Sequence, residues 1–337
     1  MNPWHEKTEG PGTVLGIDLG GTRLKIGLVD NTGRVLLMKR FPTRVQVGKA
    51  ALIKRLIGLT ASFLQDPRCL ASPPGAIGLG AAGLVDIRRG VVEISPNFPD
   101  WRRVPLGPIF QEALGLVTYL DNDANAVTWG EKWAGAGQDL ENFACLTLGT
   151  GVGGGLILDG RLWHGSQGSG PEIGHMTIAP RGERCRCGNR GCLETLASAT
   201  WLIEKAYKIK LIERLPPDVG LPSRNHGTGL TTIDLFHLAR GGEPISLRLF
   251  REMGEALGLA IANLVHLLSL QGVILGGGLS RAATIFLPYL EKEFKKRLTL
   301  ISPEKISLRI STLQEKSGVI GAAGIAWQRS KRQRRRG

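Results

Sequence analysis

An α/β protein of two related halves is what the sequence predicts, and three observations lead there. The first is a pattern: "TVLGIDLGGTRLKIGLVD" (13–30) reads as strand, glycine turn, strand, with apolar residues flanking Gly20 and Gly21 on both sides. The second is its echo roughly 130 residues later, where "FACLTLGTGVGGGLILDG" (143–160) again sets a strand before a Gly-Thr turn and another after it. The third is size. A chain of 337 residues with 42% hydrophobic content buries a large core and exceeds the usual single-domain range. Together they predict a duplication, each half opening on a hairpin whose turn faces a shared cleft.

The remaining elements follow in order. "KAALIKRLIGLTASFLQ" (49–65) has the spacing of an amphipathic helix, "AIGLGAAGLVD" (76–86) reads as a strand, and "VTYLDNDANAVTWGEKWAGAG" (117–137) changes from strand to helix near Asp121. Asp and Asn favour such a point because their side chains accept the free N–H groups of a helix start. Helical segments succeed the cysteine-rich stretch; then come a strand and glycine loop in "LSLQGVILGGGLS", a helix to about Leu298, a strand near 305–313 and a last helix near 317–329. No low-complexity linker parts the halves, so the crossings are expected near Leu120 and Thr312. That gives one domain of 13–120 plus 312–329, a second of 121–311, and flexible tails at 1–12 and 330–337.

Composition narrows the function classes. "MNPWHEKTEGPG" lacks the basic start and apolar run of a secretory signal, which predicts a cytoplasmic location. The most apolar stretch, 256–275, is interrupted by Asn263, His266, Ser269 and Gln271, so a buried helix and a strand are expected there and no membrane partner. The net charge of +14 invites a nucleic-acid reading, but six basic residues sit in the terminal "RSKRQRRRG", where a charge run is usually a solvated end. No specific nucleic-acid partner is expected.

Chemistry concentrates in the glycine turns and the carboxylates near them. In "DLGGTRLK", glycines let the backbone approach an anion such as phosphate and Thr22 adds a hydroxyl, although an ordinary tight hairpin reads the same way. "LGTGVGGG" (148–155) holds more glycine than a simple turn needs, and two such turns fit one nucleotide's phosphate chain. The run Gly276 to Gly278 offers a backbone surface for adenine or ribose, or simply a tight strand-to-helix connection. "DNDAN" sets Asp121 and Asp123 two apart at a helix start, where one caps the helix and the other can take a proton from an attacking hydroxyl. Asp18 can orient a Mg²⁺ ion on the phosphates.

"HMTIAPRGERCRCGNRGCLE" (175–194) packs three of the five cysteines and one of the six histidines into a short stretch. His175, Cys185, Cys187 and Cys192 match a closed tetrahedral zinc site, the alternative being unbound thiols. Cys185 and Cys187 are too close for a relaxed disulfide. Four filled positions leave no room for water, so such a metal holds a loop and does no chemistry. Glu172, Glu194 and the second nitrogen of His175 rim that loop, and Asn97 in "SPNFPDW" adds an amide; planar groups of this kind bind sugar hydroxyls, and equally serve as surface or capping residues. Cys69 and Cys145 read as buried core.

In order along the chain, "DLGGTRLK", "GLGAAGLVD", "PNFPDW", "DNDANAVTWGE", "LGTGVGGG", "PEIGHM", "CRCGNRGCLE" and "LGGGLS" resemble the ROK family of sugar kinases and sugar-responsive repressors, within it the bacterial glucokinases. The resemblance runs from Thr13 to about Arg329. It implies an actin-like, ribonuclease H-like fold of two α/β domains with ATP and sugar in the interdomain cleft. It implies ATP-dependent phosphorylation of a hexose, glucose first, at its 6-hydroxyl. Kinases of N-acetylmannosamine, N-acetylglucosamine or fructose are the alternatives, as is a sugar-sensing regulator lacking its DNA-binding domain; only twelve residues precede Thr13, too few for a helix-turn-helix domain. Residue by residue, it implies Asp123 as base and Asn97, Asn122, Glu172, His175 and Glu194 on the hexose. Asp18, Gly20, Gly21, Thr22, Lys25, Thr150 and Gly151 fall around the Mg²⁺-bound phosphates, Gly277 near the adenosine, and Zn²⁺ on His175, Cys185, Cys187 and Cys192. A homodimer is implied as well. One departure is Gly170-Pro171 where family proteins carry Ala-Gly, which stiffens the approach to Glu172.

Overall fold

The computed structural model describes residues 12–166, 168, 170–215, 221 and 229–334. In chain order its elements are β1 (Thr13–Leu19), β2 (Arg23–Asp30), β3 (Val35–Pro42), α1 (Lys49–Leu64), α2 (Pro67–Ala71), β4 (Ile77–Ala81), β5 (Leu84–Asp86), β6 (Val91–Ile94), β7 (Arg102–Val104), α3 (Leu106–Leu114), β8 (Thr118–Asn122) and α4 (Asp123–Ala134). There follow β9 (Phe143–Leu148), β10 (Val152–Leu158), β11 (Arg161–Leu162), α5 (Glu194–Ala197), α6 (Ala199–Lys208), α7 (Leu211–Arg214), α8 (Thr232–Arg240), α9 (Pro244–Leu268), β12 (Gly272–Gly276), α10 (Ala283–Arg297), β13 (Ser307–Ile310) and α11 (Ser317–Arg334).

Two compact units result. The first comprises Met1–Asp139, Gly160–Pro171 and Glu315–Gly337, the second Leu140–Asp159 and Glu172–Gln314. The first crossing therefore falls after α4, not near Leu120 as expected, for a physical reason. Helix α4 packs on α11 and β4. Its buried Glu131 accepts a hydrogen bond from the Ser317 hydroxyl at 2.9 Å, and Trp133 stacks on Trp327 with ring centres 5.9 Å apart.

In the first unit a five-stranded sheet has the order β3-β2-β1-β4-β8. The hairpin β1-β2 is antiparallel, while β1, β4 and β8 run parallel. Strands β1 and β4 are buried at nearly every position, as parallel strands covered on both faces must be. The single strand expected over 76–86 is two: Gly83 adopts φ +112°, and a Cβ there would lie 2.2 Å from the Ile94 carbonyl oxygen. This break turns β5 away to pair with β6 in a small separate sheet.

The second unit repeats the plan. Strands β10-β9 form an antiparallel hairpin, and β9, β12 and β13 are parallel, so β10-β9-β12-β13 matches β2-β1-β4-β8 strand for strand. Its core rests on α9, whose Phe250, Met253, Leu257, Ile261 and Val265 recur at helical spacing and are fully buried. The apolar run at 256–275 is thus the end of α9 and strand β12, and among the described residues no helix is long and apolar enough to cross a membrane. Helix α11 continues past Arg329 to Arg334, into the segment expected as a tail. No helix breaker intervenes, and the Lys331 ammonium lies 4.2 Å above the Trp327 ring four residues earlier.

Candidate active site

Sheet register gathers the first unit's groups. Leu19 pairs with Ala81, and Ala81 with Asn122, at the carboxyl ends of β1, β4 and β8. The turn Gly20–Thr22 and the start of α4 therefore emerge at the same edge of one sheet, the edge where α/β proteins bind ligands. The turn is closed by the Gly20 N–H on the Arg23 carbonyl (3.1 Å). Asp18 and Lys25, cross-strand partners beside it, form an ion pair of 2.7 Å. Asn97 stands against this turn, since a Cβ on Gly21 would come within 3.0 Å of its amide carbon.

At the β8–α4 junction the cap is neither aspartate. Asn122 is the N-cap: its Oδ1 accepts from the N–H groups of Ala124 (2.8 Å) and Asn125 (3.1 Å), and its Nδ2 donates to the Gly83 carbonyl (3.0 Å). That leaves Asp123 in the first helical turn, half-buried, with Oδ1 accepting from the Ala124 N–H at 2.9 Å. Sequence reasoning missed the partners of Asp121. This side chain is buried and accepts from Arg329 (3.0 Å), Asn125 (3.0 Å) and the Asn122 N–H (2.9 Å), with His164 Nε2 at 2.8 Å. Arg329, read from the sequence as part of a solvated charge run, is thus a tethered residue. No short-range pattern announces a cluster assembled from positions 121, 164 and 329.

In the second unit Gly149–Gly151 forms the corresponding turn, closed by the Gly149 N–H on the Gly151 carbonyl (3.0 Å). Helix α6 grips it from behind: the Ala199 N–H donates to Gly149 O (2.8 Å) and the Thr200 hydroxyl to Thr150 O (2.6 Å). Glu194 stands beside it. Its Oε2 accepts from the Val152 N–H at 3.0 Å, and a Cβ on Gly151 would lie 2.2 Å from that oxygen. Gly277, at φ +83°, follows β12 and abuts the backbone of Leu148. Glu172 accepts the His175 N–H on its carbonyl (3.0 Å), so these two predicted sugar ligands share one tight helical turn.

His175, Cys185, Cys187 and Cys192 converge, with all four ligand atoms within 4.8 Å of one another. Cys187 Sγ lies 3.7 Å from Cys192 Sγ, and His175 Nδ1 lies 3.6 Å from Cys185 Sγ. A tetrahedron of Zn–S bonds near 2.3 Å has edges of about 3.8 Å, while a disulfide is about 2.05 Å, so the set fits a four-coordinate cation. Without a cation, burial favours the neutral thiol at two of the three cysteines. Burial, then the neighbouring Cys187 and Cys185, push the Cys192 thiol up to about 12; burial raises Cys185 too, whereas the Asn189 backbone lowers Cys187. Three thiolates this close need a cation among them. Gly188 and Gly191, both at positive φ, supply the bends of the loop.

Comparison with known proteins identifies the family. The ROK family matches residues 14–329. A glucokinase of Thermotoga maritima is 37% identical over 94% of this chain and 98% of its own. The crystal structure of a ROK hexokinase from Thermus thermophilus superposes with a TM-score of 0.79 at 33% identity, covering 95% of this chain and 99% of that one. A ROK family glucokinase from Streptomyces griseus, in complex with glucose and AMPPNP, gives 0.79 at 32% identity, covering 94% and 100%. The resemblance read from the motifs thus holds along nearly the whole sequence, and the chain belongs to the ROK family.

Proposed function

We propose that this protein is an ATP-dependent sugar kinase that phosphorylates glucose at its 6-hydroxyl. The observation carrying the proposal is the shared sheet edge in the first unit, where the glycine turn and a carboxylate in the first turn of α4 emerge in register. The relatives support the substrates: the Streptomyces griseus protein binds glucose and AMPPNP.

In this reading the sugar's 6-oxygen attacks the γ-phosphorus, the bond to the β–γ bridging oxygen breaks, and the proton passes to Asp123. Gly20, Gly21, Thr22, Thr150 and Gly151 offer N–H and hydroxyl groups to the phosphates, and Gly277 admits the adenosine to the backbone. When bound, Mg²⁺ would neutralise charge on the phosphate oxygens; Asp18 is the carboxylate beside the turn that would orient it, and Lys25, its ion-pair partner, offers an ammonium to the phosphates. Asn97, the second N–H of Asn122, Glu172, His175 Nε2 and Glu194 hold the sugar hydroxyls. Zn²⁺ on His175, Cys185, Cys187 and Cys192 stiffens the loop that carries the last of these. A cytoplasmic homodimer completes the reading, on the strength of the motif resemblance.

The test is release of ADP across a panel of glucose, mannose, fructose, N-acetylglucosamine and N-acetylmannosamine. Glucose is expected to give the highest kcat/KM. Another hexose in that place reassigns the substrate, and no ADP release with any of them defeats the kinase.

A further inference from the structure

We infer that His164 is a positioning residue that fixes the approach to Glu172, acting through the buried carboxylate of Asp121. The inference rests on the kinase reading and adds to it a residue that neither the motifs nor the proposed mechanism uses. Asp121, next to last in β8, spends both carboxylate oxygens on protein. Oδ1 accepts from the Asn125 amide (3.0 Å) and the Asn122 N–H (2.9 Å); Oδ2 accepts from Arg329 (3.0 Å) and meets His164 Nε2 (2.8 Å). A carboxylate so occupied has no place on a substrate. Because it also receives Arg329, it faces His164 as an acceptor, so Nε2 carries the proton.

The segment bearing His164 returns to the same spot. The Gly170 N–H donates to the His164 carbonyl at 2.9 Å. Gly170, at φ +77°, packs directly on the Asn125 amide, where a Cβ would come within 2.6 Å of Oδ1. Among the described residues that buried Oδ1 has no hydrogen-bond partner. Asn125 is in turn held by Asp121. Both His164 and Gly170 are therefore anchored at one place, the β8–α4 junction, where Asp123 begins the helix. Pro171 and Glu172 follow at once, and there the chain passes from the first unit to the second. With Pro171 restricting the backbone, the anchor at Gly170 leaves Glu172 few ways to start. Gly170 itself has a local cause: at φ +77° and against Asn125, a glycine is the residue that fits.

The test compares His164→Ala with His164→Gln, which keeps an N–H donor of similar reach. In the kinase assay His164→Ala is expected to raise the hexose KM about tenfold, with kcat and the ATP KM within about twofold, and His164→Gln to recover most of the loss. Hydrogen exchange at the Gly170 amide should quicken in His164→Ala and return toward the unaltered rate in His164→Gln. A hexose KM unmoved in His164→Ala, equal losses in both variants, or an unchanged Gly170 rate overturns the inference. A uniform fall in active enzyme without a KM shift marks a merely structural residue and overturns it as well. Absence of kinase activity in the unaltered protein defeats the functional reading instead, and the exchange comparison alone then decides the positioning role.

Discussion

The two glycine turns are clamped alike and lined differently. Behind the first, Thr43 donates its N–H to Thr22 O (3.0 Å) and its hydroxyl to Gly20 O (2.7 Å). Behind the second, Ala199 and Thr200 do the same to Gly149 and Thr150. In front, Gly21 meets the neutral amide of Asn97, whereas Gly151 meets the carboxylate of Glu194. Both turns serve the phosphates in the proposed reading, and the division lies in what else stands against each: at Gly151 it is the Glu194 carboxylate, a good acceptor for a sugar hydroxyl, which requires the glycine in its own right.

The largest test of that division is Asp123→Asn. With the neutral isostere at the start of α4, kcat for glucose should fall by about 10²–10⁴-fold, while calorimetry still detects sugar binding. Full activity would remove the chemistry from the first unit. Next in size is the metal loop. Protein prepared without chelators should contain about one zinc per chain by elemental analysis, and Cys192→Ser should lose it together with glucose binding, because Glu194 stands two residues away and leans on Val152. Zinc-free protein that still binds glucose would separate Glu194 from the loop.

A finer comparison sets Gly151→Ala against Gly21→Ala. The first added methyl must drive out the Glu194 carboxylate and break its bond to Val152, so the glucose KM should rise about tenfold and stability fall by about 1 kcal/mol. The second presses on Asn97 at 3.0 Å, a distance a small shift relieves, and its effect on KM should stay within about threefold. Equal effects would erase the distinction between amide and carboxylate.

Much of this was legible before any coordinates because the signals are local. The hairpins at 13–30 and 143–160 carry their turns within them, and His175, Cys185, Cys187 and Cys192 lie close enough in sequence for ligand spacing to be read. What was not legible depends on distant partners. That Asn122 and not an aspartate caps α4 is settled by the break at Gly83, whose carbonyl takes the Asn122 amide. The side of the boundary on which α4 falls is decided by α11, nearly two hundred residues on, through Ser317 and Trp327. Arg329 looked like the start of a basic tail because its partner, Asp121, lies as far away in the chain. Periodicity reports which face of an element is buried, and stays silent on what covers it.

The smallest expected effects concern the clamps, and they bear on whether burial, not geometry, distinguishes the halves. Thr43→Val and Thr200→Val each delete one hydroxyl donor and leave a turn carbonyl without it. Thr43 is 1% exposed, so little water reaches the Gly20 carbonyl from the side of the lost bond, and the cost should be about 1–2 kcal/mol. Thr200 is only partly buried; water can reach the Thr150 carbonyl, and the loss should stay near 0.5 kcal/mol. Chemical denaturation measures both, and the order is the informative part. A larger loss at Thr200 would mean that the second turn depends on α6 more than its exposure implies, making the clamp and not the Glu194 contact the main constraint on Gly151.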